Sequence, residues 1–319
     1  MPVALPTLLD IASSTGSDGI AGLIEEVVAF VPEIQIGAAR TIKGMQYKAT
    51  IRTQLPTTGF RGPNKGAKPT RSRYEQRLFD CFVTDTPWLA DKALADIHED
   101  GAAAYIAAEA RGIVQAQTIM LGKQFYYGLD PANAGFSDAN GFPGLAVQYD
   151  AATMTVDAGG STANTGSSVW AVSWGEDGVQ WLYGNGSNPL QLTDVQTVVL
   201  PDINDPTSGN MVTYYHQQLL AWVGMKQTNA RRVARIKNLT AQAGKGLTDN
   251  LLRDLVQSFN VGYRPDAIFM SRRSMGQWIK SRTPVGPTAN FGPQPTVIAD
   301  YDGIPVIQTD SIQNTEAII

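Results

Sequence analysis

Residues suited to catalysis or metal binding are scarce in this sequence. Cys81 is its one cysteine, and His98 and His216 are its two histidines, far apart in the chain. A zinc site needs several cysteine or histidine ligands in one place, and a catalytic site needs converging titratable groups. We therefore expect no catalytic residue, no metal and no cofactor, and we predict that Cys81 is a small buried side chain.

A glycine-rich segment, Ala243 to Thr248, superficially resembles a phosphate-binding loop. That motif requires an earlier glycine and a serine or threonine directly after its lysine. This sequence has Leu239 and Gly246 at those two positions. The segment is therefore interpreted as an ordinary loop.

Tryptophans offer one further candidate for a binding surface. Aromatic rings in a row can stack on sugars or nucleic-acid bases, but large aromatic side chains more commonly fill cores and interfaces. Core or interface packing is the favoured interpretation. The alternative function is a β-rich surface or tail protein that binds through Trp-bearing hairpins. The three residues are Trp170, Trp174 and Trp181.

Composition favours a folded chain with a hydrophobic core. It has 319 residues, is 43% hydrophobic and carries a net charge of −4, which is typical of one or two packed units. No apolar run approaches the length of a membrane-spanning helix. The N-terminus lacks the basic-then-apolar order of a secretory signal, so we expect no membrane partner.

Charge is distributed in blocks along the chain. Residues 1–35 hold five acids and no base, and residues 36–77 hold ten bases and one acid. Residues 124–224 then hold nine acids and no base, whereas residues 225–282 hold twelve bases and three acids. Like charges crowded in one segment repel each other. Contact between a basic block of one subunit and an acidic block of another would relieve this repulsion and fix the docking register; cancellation within one subunit is the other possibility.

The basic block reads as a long hairpin covering roughly residues 40–80. Residues 45–52 alternate apolar and polar side chains, as a strand with one apolar face does. Residues 56–70 hold three prolines, three glycines and three basic residues, which predicts an irregular tip. Residues 71–82 resume an extended pattern. A hairpin of this length cannot bury its own apolar side chains, so we expect it to rest on something else.

A long helix is predicted over residues 87–127. Thr86 could cap it, Pro87 suits the first helical position, and Gly128 suits its end. Gly112 within it could allow another backbone to approach closely. We also predict a helix at 17–30, a Trp-bearing hairpin formed by strands 168–174 and 179–183, strands at 211–222, 230–236, 265–270 and 304–310, helices at 248–258 and 271–280, and a loop at 283–295.

The order of these elements, with several sequence runs, resembles the Hong-Kong-97 (Johnson) fold of tailed-phage major capsid proteins. Two runs resemble parts common to that family: Asn140 to Leu145 after the long helix, and Arg264 to Ser271. Tyr301 to Asp310 resembles its closing strand. Ser167 to Gly175, and Trp222 to Asn238, are similar to a subgroup of short-tailed phages resembling epsilon fifteen. The resemblance spans nearly the whole chain.

The resemblance implies an α+β fold with the parts named in that family. They would be an N-arm (1–38), an E-loop hairpin (39–82), the first part of the P-domain with the spine helix (83–146, helix 87–127), an A-domain with a β-rich insertion at about 155–245 (147–303), and a closing strand that returns to the P-domain (304–319).

The resemblance also implies the function of a structural capsid protein. Subunits would self-assemble into pentamers and hexamers of an icosahedral virion shell around double-stranded DNA, bound without sequence specificity, in the bacterial host cytoplasm. Expected partners are a separate scaffolding protein, a portal protein and a decoration protein. Intersubunit contacts are expected from the E-loop and from the N-arm. The E-loop residues are Arg52, Arg61, Lys65, Lys68, Arg71 and Arg73, and the N-arm residues are Glu25, Glu26 and Glu33.

Overall fold

The computed structural model describes residues 29–186, 190–202, 205, 207, 209–282 and 300–319. The helix expected at 17–30 and the loop expected at 283–295 lie almost wholly outside these residues. Within them, the chain combines two six-stranded sheets, a two-stranded hairpin and six α-helices.

The first sheet has the strand order β1-β7-β10-β4, with β8 and β9 also paired to the long strand β10. Strand β10 comprises Met211–Gln227. Its length lets it pair with β4 along one edge and with β7, β8 and β9 along the other. The other strands are β1 (Ala39–Thr41), β4 (Phe82–Asp91), β7 (Val179–Tyr183), β8 (Leu190–Leu192) and β9 (Gln196–Pro201).

The second sheet has the order β13-β14-β12-β6-β11-β5. Every residue of β6 is buried, as expected for a central strand that is covered on both faces. The strands are β5 (Thr155–Asp157), β6 (Ser167–Val172), β11 (Val233–Leu239), β12 (Ala267–Met270), β13 (Asp300–Tyr301) and β14 (Ile304–Gln308).

Two hydrophobic clusters cover the faces of the second sheet. Trp170 and Val172 point to one face, where they join the first sheet and the aromatic end of the long helix. Val169 and Ala171 point to the other face, against two short helices. These helices are α5 (Asp249–Gln257) and α6 (Arg272–Ser281), and the alternation of strand side chains explains how one strand serves both clusters.

The long helix α3 (Ala102–Tyr127) contains 26 residues and so runs for about 39 Å. It ends at Gly128, as the sequence indicated, but it does not start at Pro87. Thr86 and Pro87 belong to strand β4, opposite Leu219 and Gln218 of β10. The sequence 82–88 is rich in aromatic and β-branched residues and alternates in burial, and a proline is tolerated in an edge strand.

Short elements separate β4 from α3. Helix α2 (Lys92–Ala95) is capped by Asp91, whose carboxylate accepts a hydrogen bond from the Ala93 backbone nitrogen at 2.9 Å. Gly101 then adopts a φ of 82° at the start of α3, a conformation that favours glycine. The remaining helices are α1 (Glu33–Ile36) and α4 (Leu145–Gln148).

Close packing against α3 occurs at Gly122 and not at Gly112. A Cβ atom at Gly122 would lie 2.3 Å from Ser311 Oγ and 2.6 Å from Val31 Cγ1, whereas a Cβ at Gly112 would meet nothing within 4 Å. Within one subunit, no described residue makes the close approach expected at Gly112. At Gly122, Val31 from the N-terminal part of the chain and Ser311 from the C-terminal part both pack against the helix.

The turn between β6 and β7 is present, but the two strands do not form the expected hairpin. Val179 donates a backbone hydrogen bond to Ser173 at 3.0 Å, which closes the turn. Strand β6 then pairs with β11 and β12, whereas β7 pairs with β1 and β10. Residues 173–178 thus carry the chain from one sheet to the other, because both strands find longer partners elsewhere.

Candidate assembly interface

The basic hairpin (Gln46–Asp80) consists of β2 (Gln46–Gln54), β3 (Arg73–Asp80) and an irregular tip, residues 55–72. The strands pair antiparallel, from Gln46 opposite Asp80 to Gln54 opposite Arg73. At about 3.3 Å per residue, nine residues of β2 extend the hairpin about 30 Å before the tip begins. The hairpin predicted from the alternating sequence is confirmed.

A backbone hydrogen bond closes the base of the hairpin, and a close approach to β10 places this base against the first sheet. Cys81 donates a hydrogen bond to the Met45 carbonyl oxygen at 2.7 Å. The Asp80 carbonyl oxygen lies only 2.4 Å from where a Cβ of Gly224 would be, so β10 can pass this point because it has no side chain there. Cys81 itself is 3% exposed, as predicted, and burial raises the pKa of its thiol to about 11.

A tyrosine between two cations strengthens this base. The Tyr47 ring centre lies 4.7 Å from Arg40 Cζ and 4.9 Å from Lys226 Nζ. Lys226 is 1% exposed, and desolvation lowers the pKa of its ammonium group. Cation–π contacts gain strength when the cation is partly desolvated, so Tyr47 helps to hold the hairpin at a set angle.

All six basic residues named from the sequence project from the hairpin into solvent. None of them forms an ion pair with another described residue. Arg52 donates a hydrogen bond to Tyr74 Oη at 3.1 Å, which lowers the pKa of that phenol. The six are Arg52, Arg61, Lys65, Lys68, Arg71 and Arg73.

Large apolar side chains accompany these charges. Phe60, in the tip, is fully exposed, and Leu55, Tyr74 and Leu78 are each at least 60% exposed. A phenylalanine as exposed as Phe60 lacks the stabilisation that burial would give, about 1.5–3 kcal/mol. Exposed aromatic and aliphatic groups beside arginines are typical of an unoccupied protein interface.

Glu33 behaves differently from the other residues expected to contact a neighbour. Its side chain is fully buried in its own subunit, where it accepts a hydrogen bond from Tyr126 Oη at 2.8 Å. Its carbonyl oxygen accepts one from Trp181 Nε1 at 3.1 Å. Glu33 is therefore an internal anchor and not a side-chain contact to a neighbour, and burial raises the pKa of its carboxyl group. Glu25 and Glu26 lie outside the described residues.

The segment before Glu33 is held by the C-terminal part of the chain. Phe30 donates a backbone hydrogen bond to the Asp310 carboxylate at 2.8 Å, and the Asp310 backbone nitrogen donates one to the Phe30 carbonyl oxygen at 3.1 Å. Residues 30–33 thus enter the body between β7, α3 and residues 309–311. These contacts fix residues 30–33 against the rest of the subunit.

A buried ion pair that sequence reasoning missed locks the C-terminal segment in place. Arg235 Nη2 lies 3.0 Å from Glu316 Oε2, and the two side chains are 4% and 1% exposed. Glu316 also accepts hydrogen bonds from Tyr127 Oη and Ser168 Oγ, and Arg235 Nε donates to Ser168 Oγ at 2.9 Å. The pair therefore joins α3, β6, β11 and residues 311–319 in one satisfied network.

The tryptophans do not form a binding platform. Trp170 and Trp181 are at most 1% exposed, and Trp174 is half-buried with its ring 5.8 Å from that of Phe125. Core packing is confirmed for these residues, and the alternative based on Trp-bearing hairpins loses its binding surface. None of the helices in the described part of the chain has the length and apolarity of a membrane crossing.

Solved structures share this fold. A chain in the structure of bacteriophage epsilon15 matches with a TM-score of 0.74 and 23% identity, over 100% of this chain and 98% of that one. A chain of the bacteriophage JBD30 capsid decorated with minor capsid protein trimers matches with a TM-score of 0.52 and 10% identity, over 97% of this chain and 99% of that one. No curated protein sequence matches significantly.

These likenesses confirm the α+β capsid fold that the order of elements indicated. They are accompanied by a sequence match to the profile of the family described as major capsid protein GP7, which extends over residues 35–319. The match includes the basic hairpin, the long helix, both sheets and the buried Arg235–Glu316 pair. On this match, the chain belongs to the major capsid protein GP7 family and is a structural subunit of a phage capsid.

Proposed function

We propose that this chain builds a closed icosahedral shell from pentamers and hexamers, with the basic hairpin of each subunit lying on a neighbouring subunit. The observation that carries the proposal is the hairpin itself. It extends about 30 Å before its tip, and it presents unpaired bases and a fully exposed Phe60. A surface of this kind is stabilised when it is covered, and a second copy is the partner that the capsid family supplies.

The distribution of charge supports contact between copies. Residues 36–77 hold ten bases and one acid, whereas residues 124–224 hold nine acids and no base. Opposite charges on the two contacting surfaces speed association and disfavour misaligned contacts. Because each subunit carries both surfaces, the contact is heterologous, and such contacts close into rings when the rotation between copies allows it.

The proposed shell encloses double-stranded DNA without reading its sequence. The net charge of −4 supports weak contact with the phosphate backbone, which lets packaged DNA move. We further propose that the subunits assemble in the bacterial host cytoplasm with a separate scaffolding protein and a portal protein, and that a decoration protein binds the outside of the shell.

Negative-stain electron microscopy with sedimentation of the purified protein tests this proposal. The protein is examined alone and with the scaffolding protein of the same phage. Closed shells or rings of five and six subunits are the expected products. A strictly monomeric protein under both conditions, with its fold intact by circular dichroism, would contradict self-assembly.

A further inference from the structure

Lys226 is a buried cation at the base of the basic hairpin. It lies in β10 opposite Gln180 of β7, so its backbone belongs to the first sheet. The residue is 1% exposed, and its side chain reaches the hairpin, where Nζ lies 4.9 Å from the centre of the Tyr47 ring. This contact therefore joins the hairpin to the sheet.

No described residue forms an ion pair with this ammonium group. Arg40, the other cation on the Tyr47 ring, donates a hydrogen bond to Glu176 Oε1 at 3.0 Å. The charge of Arg40 is thus shared with an acid, whereas that of Lys226 is met by an aromatic ring. A buried charge without a counter-ion is unfavourable, and a ring compensates only part of the lost hydration.

The groups that act on Lys226 come from four elements. Strand β1 contributes Arg40, whose charge opposes protonation, and residues 173–178 contribute Glu176 and Asp177, whose charges favour it. Strand β2 contributes the Tyr47 phenol, and β7 contributes a neutral glutamine. Loss of water has the largest effect of all, and it lowers the pKa of the Lys226 ammonium group.

The hairpin has few other side-chain contacts that could fix its angle. Most residues of β2 and β3 are exposed. At the base, the Asp80 carbonyl oxygen approaches Gly224, two residues before Lys226 in β10, and Asp80 itself is solvent-exposed. A change in the charge of Lys226 therefore acts on a joint that little else constrains.

An amine that loses water in one arrangement binds its proton more tightly in any arrangement that returns it to water. Lifting the hairpin base from β10 would hydrate the Lys226 ammonium group. We propose that Lys226 is a proton-operated switch at the hairpin base: its charged form favours a base lifted from β10, and its neutral form favours the docked base. Raising the pH should therefore tighten the joint. The inference concerns the single subunit and does not depend on assembly.

Distances between two spin labels in the unassembled full-length subunit test this switch. Gln76→Cys on β3 and Gln257→Cys at the end of α5 place the labels on exposed sites of the hairpin and the body, and the native Cys81 is buried. From about pH 7 to about pH 9, below the ordinary pKa values of tyrosine and lysine, the distance distribution of the otherwise wild-type chain should narrow. The ratio of lifted to docked bases should fall by up to about tenfold per pH unit, because one proton is coupled to the movement.

Substitutions of Lys226 reproduce its two charge states. Lys226→Met is uncharged and should give the narrow distribution at both pH values. Lys226→Arg should keep the broad one, because arginine side chains stay protonated in proteins. Lys48→Met, at an exposed lysine of β2, is the matched control and should respond to pH as the parent does. Tyr47→Phe keeps an aromatic ring without the phenol, so its response should persist.

A parent distribution that is the same at both pH values would overturn the switch. So would a Lys226→Met variant that responds to pH as its parent does. Loss of the response in Tyr47→Phe would assign the titration to the phenol and overturn it as well. If Lys226→Arg does not fold, the parent and Lys226→Met still decide between the outcomes.

Discussion

Removing the Glu316 carboxylate should destabilise the subunit more than any exposed charge can. In Glu316→Ala, Arg235 stays buried without a counter-charge, and Tyr127 and Ser168 lose their shared acceptor. Breaking one side of a buried ion pair costs about 3–5 kcal/mol. The exposed pair Arg40–Glu176, whose side chains are 41% and 74% exposed, gives the matched control. Glu176→Ala should cost less than about 1 kcal/mol.

Urea unfolding of the unassembled subunit, followed by tryptophan fluorescence, measures both losses. With a slope of about 3 kcal/mol per molar urea, a loss of 3–5 kcal/mol lowers the midpoint by about 1–2 M. The Glu176→Ala midpoint should move by less than about 0.3 M. Tryptophan is a suitable probe because Trp170 lies 4.9 Å from Arg235 in the same network. Equal midpoints for the two variants would refute the assignment of the ion pair as the lock on the C-terminal segment.

Three further outcomes follow from the geometry. Arg71→Glu with Arg73→Glu should impair shell formation, scored by sedimentation, and leave the circular dichroism spectrum unchanged; normal shells would remove these residues from the interface. Gly122→Ala should cost about 1–3 kcal/mol in urea because its new methyl group clashes on a packed face, whereas Gly112→Ala in open space should gain about 0.5–1 kcal/mol; a reversed order would contradict the packing. Glu33→Gln tests a pH effect. Burial raises the pKa of Glu33, so the folded state binds the proton of this carboxyl group more tightly than the unfolded state does. The wild type should therefore lose stability as pH rises from the unfolded pKa, about 4.3, through the raised folded pKa. The variant should lose that part of the slope, and parallel stability–pH curves would show that Glu33 does not titrate in this way.

Local signals in the sequence identified several elements correctly. Thr248 and Ser271 were predicted to begin helices, and both side chains accept hydrogen bonds from the first turns of α5 and α6. The basic hairpin followed from period-two alternation and an irregular tip. These signals act over a few residues, so a single sequence can reveal them.

The elements that were predicted wrongly are those whose strands pair with residues far away in the sequence. The second half of β4, residues 87–91, was predicted to be helical because Pro87 precedes an alanine-rich segment, yet the ten residue pairs between β4 and β10 hold the whole strand extended. Strands β6 and β7 were read as partners because a turn joins them, yet each pairs with a distant strand. Tertiary pairing overrides local preference in sheets.

Only part of the candidate interface could be predicted from the sequence. The exposed bases of the hairpin could be named from composition, and their contact with a neighbour stays a prediction. Glu33 was predicted, with Glu25 and Glu26, to contact a neighbour from the N-arm, although its side chain is buried within its own subunit. The Arg235–Glu316 pair was missed because its members are 81 residues apart in the chain, and no local pattern connects such residues.

The anchoring of residues 30–33 has a consequence for synthesis on the ribosome. Phe30 donates a hydrogen bond to Asp310, 280 residues later, and Tyr127 donates one to Glu316, near the end of the sequence. A nascent chain therefore displays its finished hairpin long before the segment that completes the body has emerged. Contacts between such distant residues form slowly because a large loop must close first. During synthesis, residues 30–33 and Tyr127 therefore lack these partners until the last residues of the chain have been added.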